Sequence, residues 1–124
     1  MNNVNMCYNI NMKIYNMRNS YEVASRVQLA KTPFERFMGL MFRKKFPEQS
    51  ALYILPCKAV HSFFMNFEFD VVFLNENNEV VFTVRSMKKN SISKTVKRAN
   101  GVLELPKGTI AKADIRVGDH LQFK

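Results

Sequence analysis

DVVFLNENNEVVFTV, residues 70–84, is the stretch that decides the architecture. Val, Phe and Leu crowd its first arm, a β-branched and aromatic run that suits a pleated surface better than a helix. Asn75, Glu76, Asn77, Asn78 and Glu79 then make a polar turn, and residues 80–84 return as the second arm of a hairpin. Outward from the hairpin, short strand-like runs repeat in both directions. Residues 13–17 and 22–29 alternate polar and apolar side chains, with Val23, Val27 and Leu29 on one face. Residues 51–55 form an apolar run closed by Pro56, and residues 62–67 are rich in aromatics. Residues 102–105 and 120–123 read as the last strands, the latter entered through a Gly118-Asp119 turn.

One segment carries helix signals instead. Thr32 can cap the N-terminus, Pro33 suits the first helical position, and Glu35 completes a Thr-x-x-Glu capping box. Phe34, Phe37 and Met38 supply an apolar stripe, and Gly39 supplies the stop. Two turns are marginal alone, so the stripe is expected to pack against the rest of the chain. Residues 85–100 show weak periodicity and read as a long loop, a feature often tied to function. The fold class is mainly β, or α+β by strict count: an antiparallel-dominated sheet, curled barrel- or sandwich-like, with one short helix.

At 124 residues with 47% apolar content, the chain fits one domain with its own core. Residues 12–124 are taken as that domain. The Asn-rich residues 1–11 have too few apolar side chains to order themselves, and Met12 is the expected natural start. Cys7 and Cys57 are no disulfide framework, which fits a reducing compartment. No apolar run is long enough for a membrane span, and the first twenty residues lack the apolar core of a secretory signal. The expectation is a soluble, cytoplasmic protein with no membrane partner.

The net charge of +9 raises the question of an anionic partner. Arg85, Lys88, Lys89, Lys94, Lys97 and Arg98 contain no acid among them, and Arg43, Lys44 and Lys45 form a second cluster. The plain reading is two solvated loops. No helix-turn-helix, aromatic RNA-binding pair or zinc-finger spacing accompanies the charge. Nucleic acid is therefore left open by the charge and carried by no motif.

Several motifs occur in a fixed order: Glu35-Arg36-x-x-Gly39-Leu40-Met41-x-Arg43, Cys57-x-x-x-His61-x-x-Phe64-Met65, Asp70-Val71-Val72-Phe73-Leu74, Val102-Leu103-Glu104-Leu105-Pro106-x-Gly108, and Gly118-Asp119. In that register the chain resembles the conserved family called domain of unknown function 192, from about Met12 to the C-terminus. The resemblance implies a compact, mostly β single domain without an established activity. Some relatives carry an export signal, so the resemblance leaves localisation open.

Chemistry-bearing residues within these motifs admit several readings. Asp70 opens an apolar run and Glu104 lies between Leu103 and Leu105, where an unpaired carboxylate is costly. Arg36 or Arg43 is expected to pair with Glu104 or Asp70 and tie helix to sheet; the same groups could instead line an anion pocket. Cys57, His61 and Met65 at spacing four and four resemble part of a copper site, though a second histidine is available only at His120. Cys57 with His61 as base is the thiol-enzyme version, with Asp70 as the orienting acid to try. The bland alternative is a buried Cys and a hydrogen-bonded His. No cofactor is called for. The reading preferred is a domain binding a small molecule or protein at a cleft lined by Arg36, Arg43, Cys57, His61 and Asp70. Thr32, Glu35, Gly39, Glu104, Gly108, Gly118 and Asp119 are its structural framework. A thiol-dependent enzyme is the alternative, and a basic module acting through residues 85–98 the second. All of these require the turn after the helix and the Cys57 segment to meet at one concavity.

Overall fold

A computed structural model describes residues 8–124. Its elements run β1 (Tyr8–Ile10), β2 (Ile14–Asn16), β3 (Tyr21–Ala24), β4 (Arg26–Ala30), α1 (Pro33–Met38), β5 (Ser50–Ile54), β6 (Phe69–Leu74), β7 (Val80–Met87), β8 (Gly101–Pro106), α2 (Thr109–Lys112) and β9 (Leu121–Phe123). Six strands make one sheet in the order β1-β4-β5-β8-β6-β7, and three make a second in the order β3-β2-β9. The β4–β5 pair is parallel, while the other pairings are antiparallel. The larger sheet stays open, so the arrangement is sandwich-like rather than a closed barrel.

The deciding hairpin forms as read, with β6 against β7. Its turn is held by the Asn75 side-chain oxygen, which accepts from the Asn77 and Glu79 amides at 2.9 and 3.0 Å. Strand alternation then gives the large sheet two buried faces. On one, Tyr53, Val72, Leu74, Leu103 and Leu105 meet Ile14, Val23 and Leu121 of the small sheet, with Ile110 and Ile115 at the side. On the other, Leu52, Ile54, Phe69, Val71, Phe73 and Val102 meet Leu40, Val60, Met65, Val96 and Ala99 from irregular segments. Burying each large apolar side chain contributes about 1.5–3 kcal/mol. Burial on both faces explains why β6 and β8 read as continuous apolar runs.

Four expectations are corrected. The single strand expected over residues 22–29 is two strands in different sheets, separated at Ser25. The Ser25 and Arg26 amides both donate to the Gln49 carbonyl, at 2.8 and 3.1 Å, which turns the chain from one sheet to the other. Residues 62–67 are not a strand. Ser62 is fully buried and its hydroxyl accepts from the Ser91 amide at 2.9 Å, while Phe64 takes a φ of 61°, so the segment folds into a loop. The loop expected over 85–100 is shorter, because β7 continues to Met87, and the turn of helix α2 was unforeseen. The tail expected to be unstructured, residues 1–11, lies outside the described residues up to Cys7, while Tyr8–Ile10 pairs with β4. Among the described residues, no helix is long and apolar enough to cross a membrane.

Candidate functional site

Helix α1 starts as its sequence dictates. The Thr32 hydroxyl accepts from the Glu35 amide at 3.1 Å, and a Glu35 carboxylate oxygen accepts from the Thr32 and Lys31 amides at 3.1 and 3.0 Å. Those bonds hold the Glu35 carboxyl below the usual carboxylate range. Gly39 ends the helix at φ 47°, donating its amide to the Glu35 carbonyl at 2.9 Å. The apolar stripe, however, does not pack inward. No residue of α1 is buried, and Phe37 is 61% exposed. The chain turns into the core only afterwards, at Leu40 and Met41. Caps and polar ties hold the helix: an Arg36 guanidinium nitrogen donates to the Pro56 carbonyl at 2.8 Å, and His61 reaches the Phe37 carbonyl at 3.1 Å.

These ties bring the turn after α1 and the Cys57 segment together as required. Arg36, Gly39, Cys57, His61, Met65 and Glu104 line a common cavity of about 40 Å³. Glu104 reaches it from the centre of the sheet. In the β4, β5, β8, β6 order its row neighbours are Gln28, Leu52 and Val71, so it emerges on the face that α1 and the loops cover. It is 3% exposed, and its Oε1 accepts no hydrogen bond; Arg36 Nε is likewise buried without a partner. Burial raises the Glu104 pKa to about 8, against the opposing pull of the Arg43 charge. The Gly39 turn lies over this carboxyl: a Cβ there would stand 3.7 Å from Glu104 Oε1.

Other expected members fall elsewhere. Asp70 belongs to the opposite face of the sheet, because it lies one residue out of phase with Val71, the neighbour of Glu104. Its carboxylate accepts from the Ser86, Gly108 and Ile110 amides at 2.9, 3.1 and 2.9 Å, which makes it a clasp between β7 and the start of α2. It is therefore neither a cavity residue nor an orienting acid for His61. Arg43 stands beside the cavity, where one guanidinium nitrogen donates to Gln28 Oε1 at 2.6 Å. The ion pair expected between helix and sheet does not form with Arg36: that guanidinium bonds a carbonyl, and Glu104 feels Arg43 as a nearby charge. Arg18 and Asp119, by contrast, make a 2.8 Å ion pair that ties the turn after β2 to the turn before β9.

Cys57 and His61 share the cavity without acting on one another. The Phe63 amide donates to His61 Nδ1 at 3.1 Å, which places the ring proton on Nε2 and directs it to the Phe37 carbonyl. Neither nitrogen is left to take a proton from sulfur. The Cys57 thiol itself donates to the Ala59 carbonyl at 3.0 Å, and burial raises its pKa above the ordinary value. An activated thiolate needs the reverse. Met65 is buried with the core around Leu52 and Phe69, and the described residues contain no cluster of three or more His, Cys, Asp or Glu placed to hold a metal.

Phe37 also lines the cavity, a residue the sequence did not single out for the site, and further aromatic side chains stand beside it. Phe37 meets His61 in a tilted contact at a centroid distance of 5.3 Å, His61 stacks on Phe63 at 5.4 Å, and Phe42 stacks on Phe64 at 5.5 Å. Phe42 and Phe64 are 62% and 63% exposed, so the outer part of this aromatic rim is open to solvent, while His61 is half-buried. A hint was available: two turns of helix and the next turn carry Phe34, Phe37 and Phe42, more aromatics than so short a helix can bury.

Fold and site together define a β-sandwich with a small cavity of mixed polar and apolar lining, beside an exposed aromatic rim. The chain belongs to the family described as Uncharacterized ACR, domain of unknown function 192, whose model matches residues 14–123. It is 35% identical over 114 residues to a UPF0127 protein of Pyrococcus furiosus, covering 87% of this chain and 95% of that one. A UPF0127 protein of Pyrococcus horikoshii is 32% identical over 102 residues, covering 78% and 86%. Two crystal structures share the fold at 18% identity. One is a candidate transcription regulator of Sinorhizobium meliloti, with a TM-score of 0.82 over 94% of this chain and 95% of that one. The other, of unknown function, comes from Novosphingobium aromaticivorans, with a TM-score of 0.76 over 92% and 84%.

Proposed function

We propose that this is a binding domain of the cytoplasm, whose site is the cavity between α1, the Cys57 segment and β8 together with its aromatic rim. One observation carries the reading. Two buried polar atoms, Arg36 Nε and Glu104 Oε1, lack partners, and both residues line the same small cavity. A buried polar atom without a hydrogen bond costs about 1–3 kcal/mol, and folded proteins leave few of them. A bound group that completes both atoms recovers that loss. The exposed aromatic side chains supply apolar contact beside it, and exposed apolar surface gathered next to a cavity is a mark of an interaction site. The net charge of +9 favours anionic partners and would steer them from a distance. Thiol chemistry receives no such support, since Cys57 has a raised pKa and His61 no free acceptor nitrogen.

The test is a titration of ¹⁵N-labelled protein with separate small acids, amides, amidines and alcohols, followed by NMR. At least one class should shift the Arg36 Nε–H signal together with the Gly39 and Val60 amides. Shifts confined to other surfaces, or none with any class, would remove the reading.

A further inference from the structure

We infer that the group the cavity receives is a carboxylate, presented with an apolar neighbour that lies on the aromatic rim. The inference rests on the binding reading above and names the ligand class. Size comes first. A cavity of about 40 Å³ offers on the order of three water-sized positions. That suits the three heavy atoms of a carboxylate and is too small for the five of a phosphate or sulfate. The ligand must therefore enter by one end only.

The lining selects the class among groups of that size. Arg36 Nε–H is an unused donor, because the guanidinium's bond to the Pro56 carbonyl uses a different nitrogen. The Cys57 thiol is engaged with the Ala59 carbonyl, and both His61 nitrogens are occupied. The groups facing Glu104 are Arg36 from α1, Arg43 from the following turn, and Cys57 and His61 from the loop. Its row neighbours on β4, β5 and β6, Gln28, Leu52 and Val71, do not titrate. With a pKa of about 8, Glu104 is protonated at neutral pH and offers an O–H. The cavity then presents two donors and a net positive charge, which two carboxylate oxygens satisfy. A guanidinium would need acceptors and would meet two arginines. A primary amide would use one donor and leave its own N–H groups facing them.

The rim sets what stands next to the carboxylate. Phe37 and His61 line the cavity itself, and Phe63, Phe42 and Phe64 extend the aromatic surface beside it through ring contacts. A small aryl or alkyl carboxylic acid and a peptide ending in an apolar residue carry the same chemistry, so the source is decided by experiment.

The wild-type protein is titrated at pH 7 with phenylacetate, phenylacetamide, benzylguanidinium and inorganic phosphate, reading the Arg36 Nε–H and Gly39 amide signals. Phenylacetate should shift both, and the other three should not at the same concentration. Because the bound form needs protonated Glu104, affinity should fall roughly tenfold per pH unit above about 8. A second arm compares a short peptide ending in Phe with its C-terminal amide. Binding by the free-acid peptide assigns the carboxylate to a chain end, and binding by phenylacetate alone assigns it to a small acid. If phenylacetamide or benzylguanidinium shifts the signals and phenylacetate does not, the carboxylate is wrong while the binding site stands. Affinity unchanged at pH 9.5 overturns the Glu104 donor and the inference with it. Silence from every probe class of both titrations removes inference and site together.

Discussion

At the scale of single residues, Glu104 is the least comfortable group in the molecule, and its discomfort has a measurable sign. Its folded-state pKa of about 8 lies above the ordinary 4.5. Between those two values the folded chain keeps a proton that the unfolded chain has released. Stability is therefore greatest below pH 4.5 as far as this group is concerned. It falls by up to about 1.4 kcal/mol per pH unit as pH rises toward 8, and is flat beyond. Glu104→Gln cannot ionise, so the difference in unfolding free energy between variant and wild type should grow in the variant's favour across that window. Urea denaturation at pH 5, 7 and 9 reads this directly, and parallel pH profiles would show that the carboxyl is not held protonated. Cys57 gives a second test at the same scale. Burial raises its pKa, so iodoacetamide at pH 7 should label it about tenfold more slowly in the folded protein than in urea. Peptide mapping separates it from Cys7, and fast labelling in the folded state would return the thiol-enzyme reading to contention.

At the scale of elements, α1 is built by its ends and used by its side. Thr32→Ala removes the hydroxyl that caps the Glu35 amide and should destabilise the chain by about 1 kcal/mol. Gly39→Ala should do at least as much, about 1–3 kcal/mol, through backbone strain: a φ of 47° suits Gly, whereas the nearest atoms to an added Cβ are at an ordinary 3.7 Å. Thermal unfolding of both variants checks the pair, and a Gly39→Ala protein as stable as wild type would mean the turn relaxes freely. The local signals of this helix were legible because capping is written within four residues. Its packing was not legible, because an apolar stripe says that a face is apolar and not whether the protein or a partner covers it. The same limit governs the strands. The hairpin at residues 70–84 declares itself through composition and turn chemistry, but the break at Ser25 depends on Gln49, a residue in another segment. The site was half legible for a related reason. Arg36, Cys57 and His61 could be drawn together from their motifs. Choosing Glu104 over Asp70 required the β6–β8 register, which sets Val71 opposite Glu104 and turns Asp70 to the other face.

At the scale of the whole molecule, the two faces of the six-stranded sheet divide the work. One is closed by the second sheet and α2, with the Asp70 carboxylate clasping three backbone amides and the Asp119–Arg18 pair fastening the turns. The other is closed by irregular segments, and there the cavity, the unpartnered polar atoms and the exposed aromatics gather. A helix with no buried residue, held by its caps and a few polar ties, can yield to a ligand at smaller cost than two packed sheets can. This division predicts that damage to the two faces separates in kind. Asp70→Ala removes the acceptor of the Ser86, Gly108 and Ile110 amides, of which the Ile110 bond is fully buried, and at about 1–3 kcal/mol for a buried unsatisfied group it should destabilise the fold by at least about 1–3 kcal/mol. At a temperature where that variant is still folded, the phenylacetate-induced shift at Arg36 should be unchanged, since the sheet lies between the clasp and the cavity. Arg36→Lys should behave in the opposite way, leaving unfolding within about 1 kcal/mol of wild type while abolishing the response at Gly39, because lysine carries no group at the Nε position. The comparison needs urea unfolding and the same NMR titration on both proteins. A clasp variant that loses the response in proportion to its stability would show that the two faces act as one, and that the cavity is a by-product of packing.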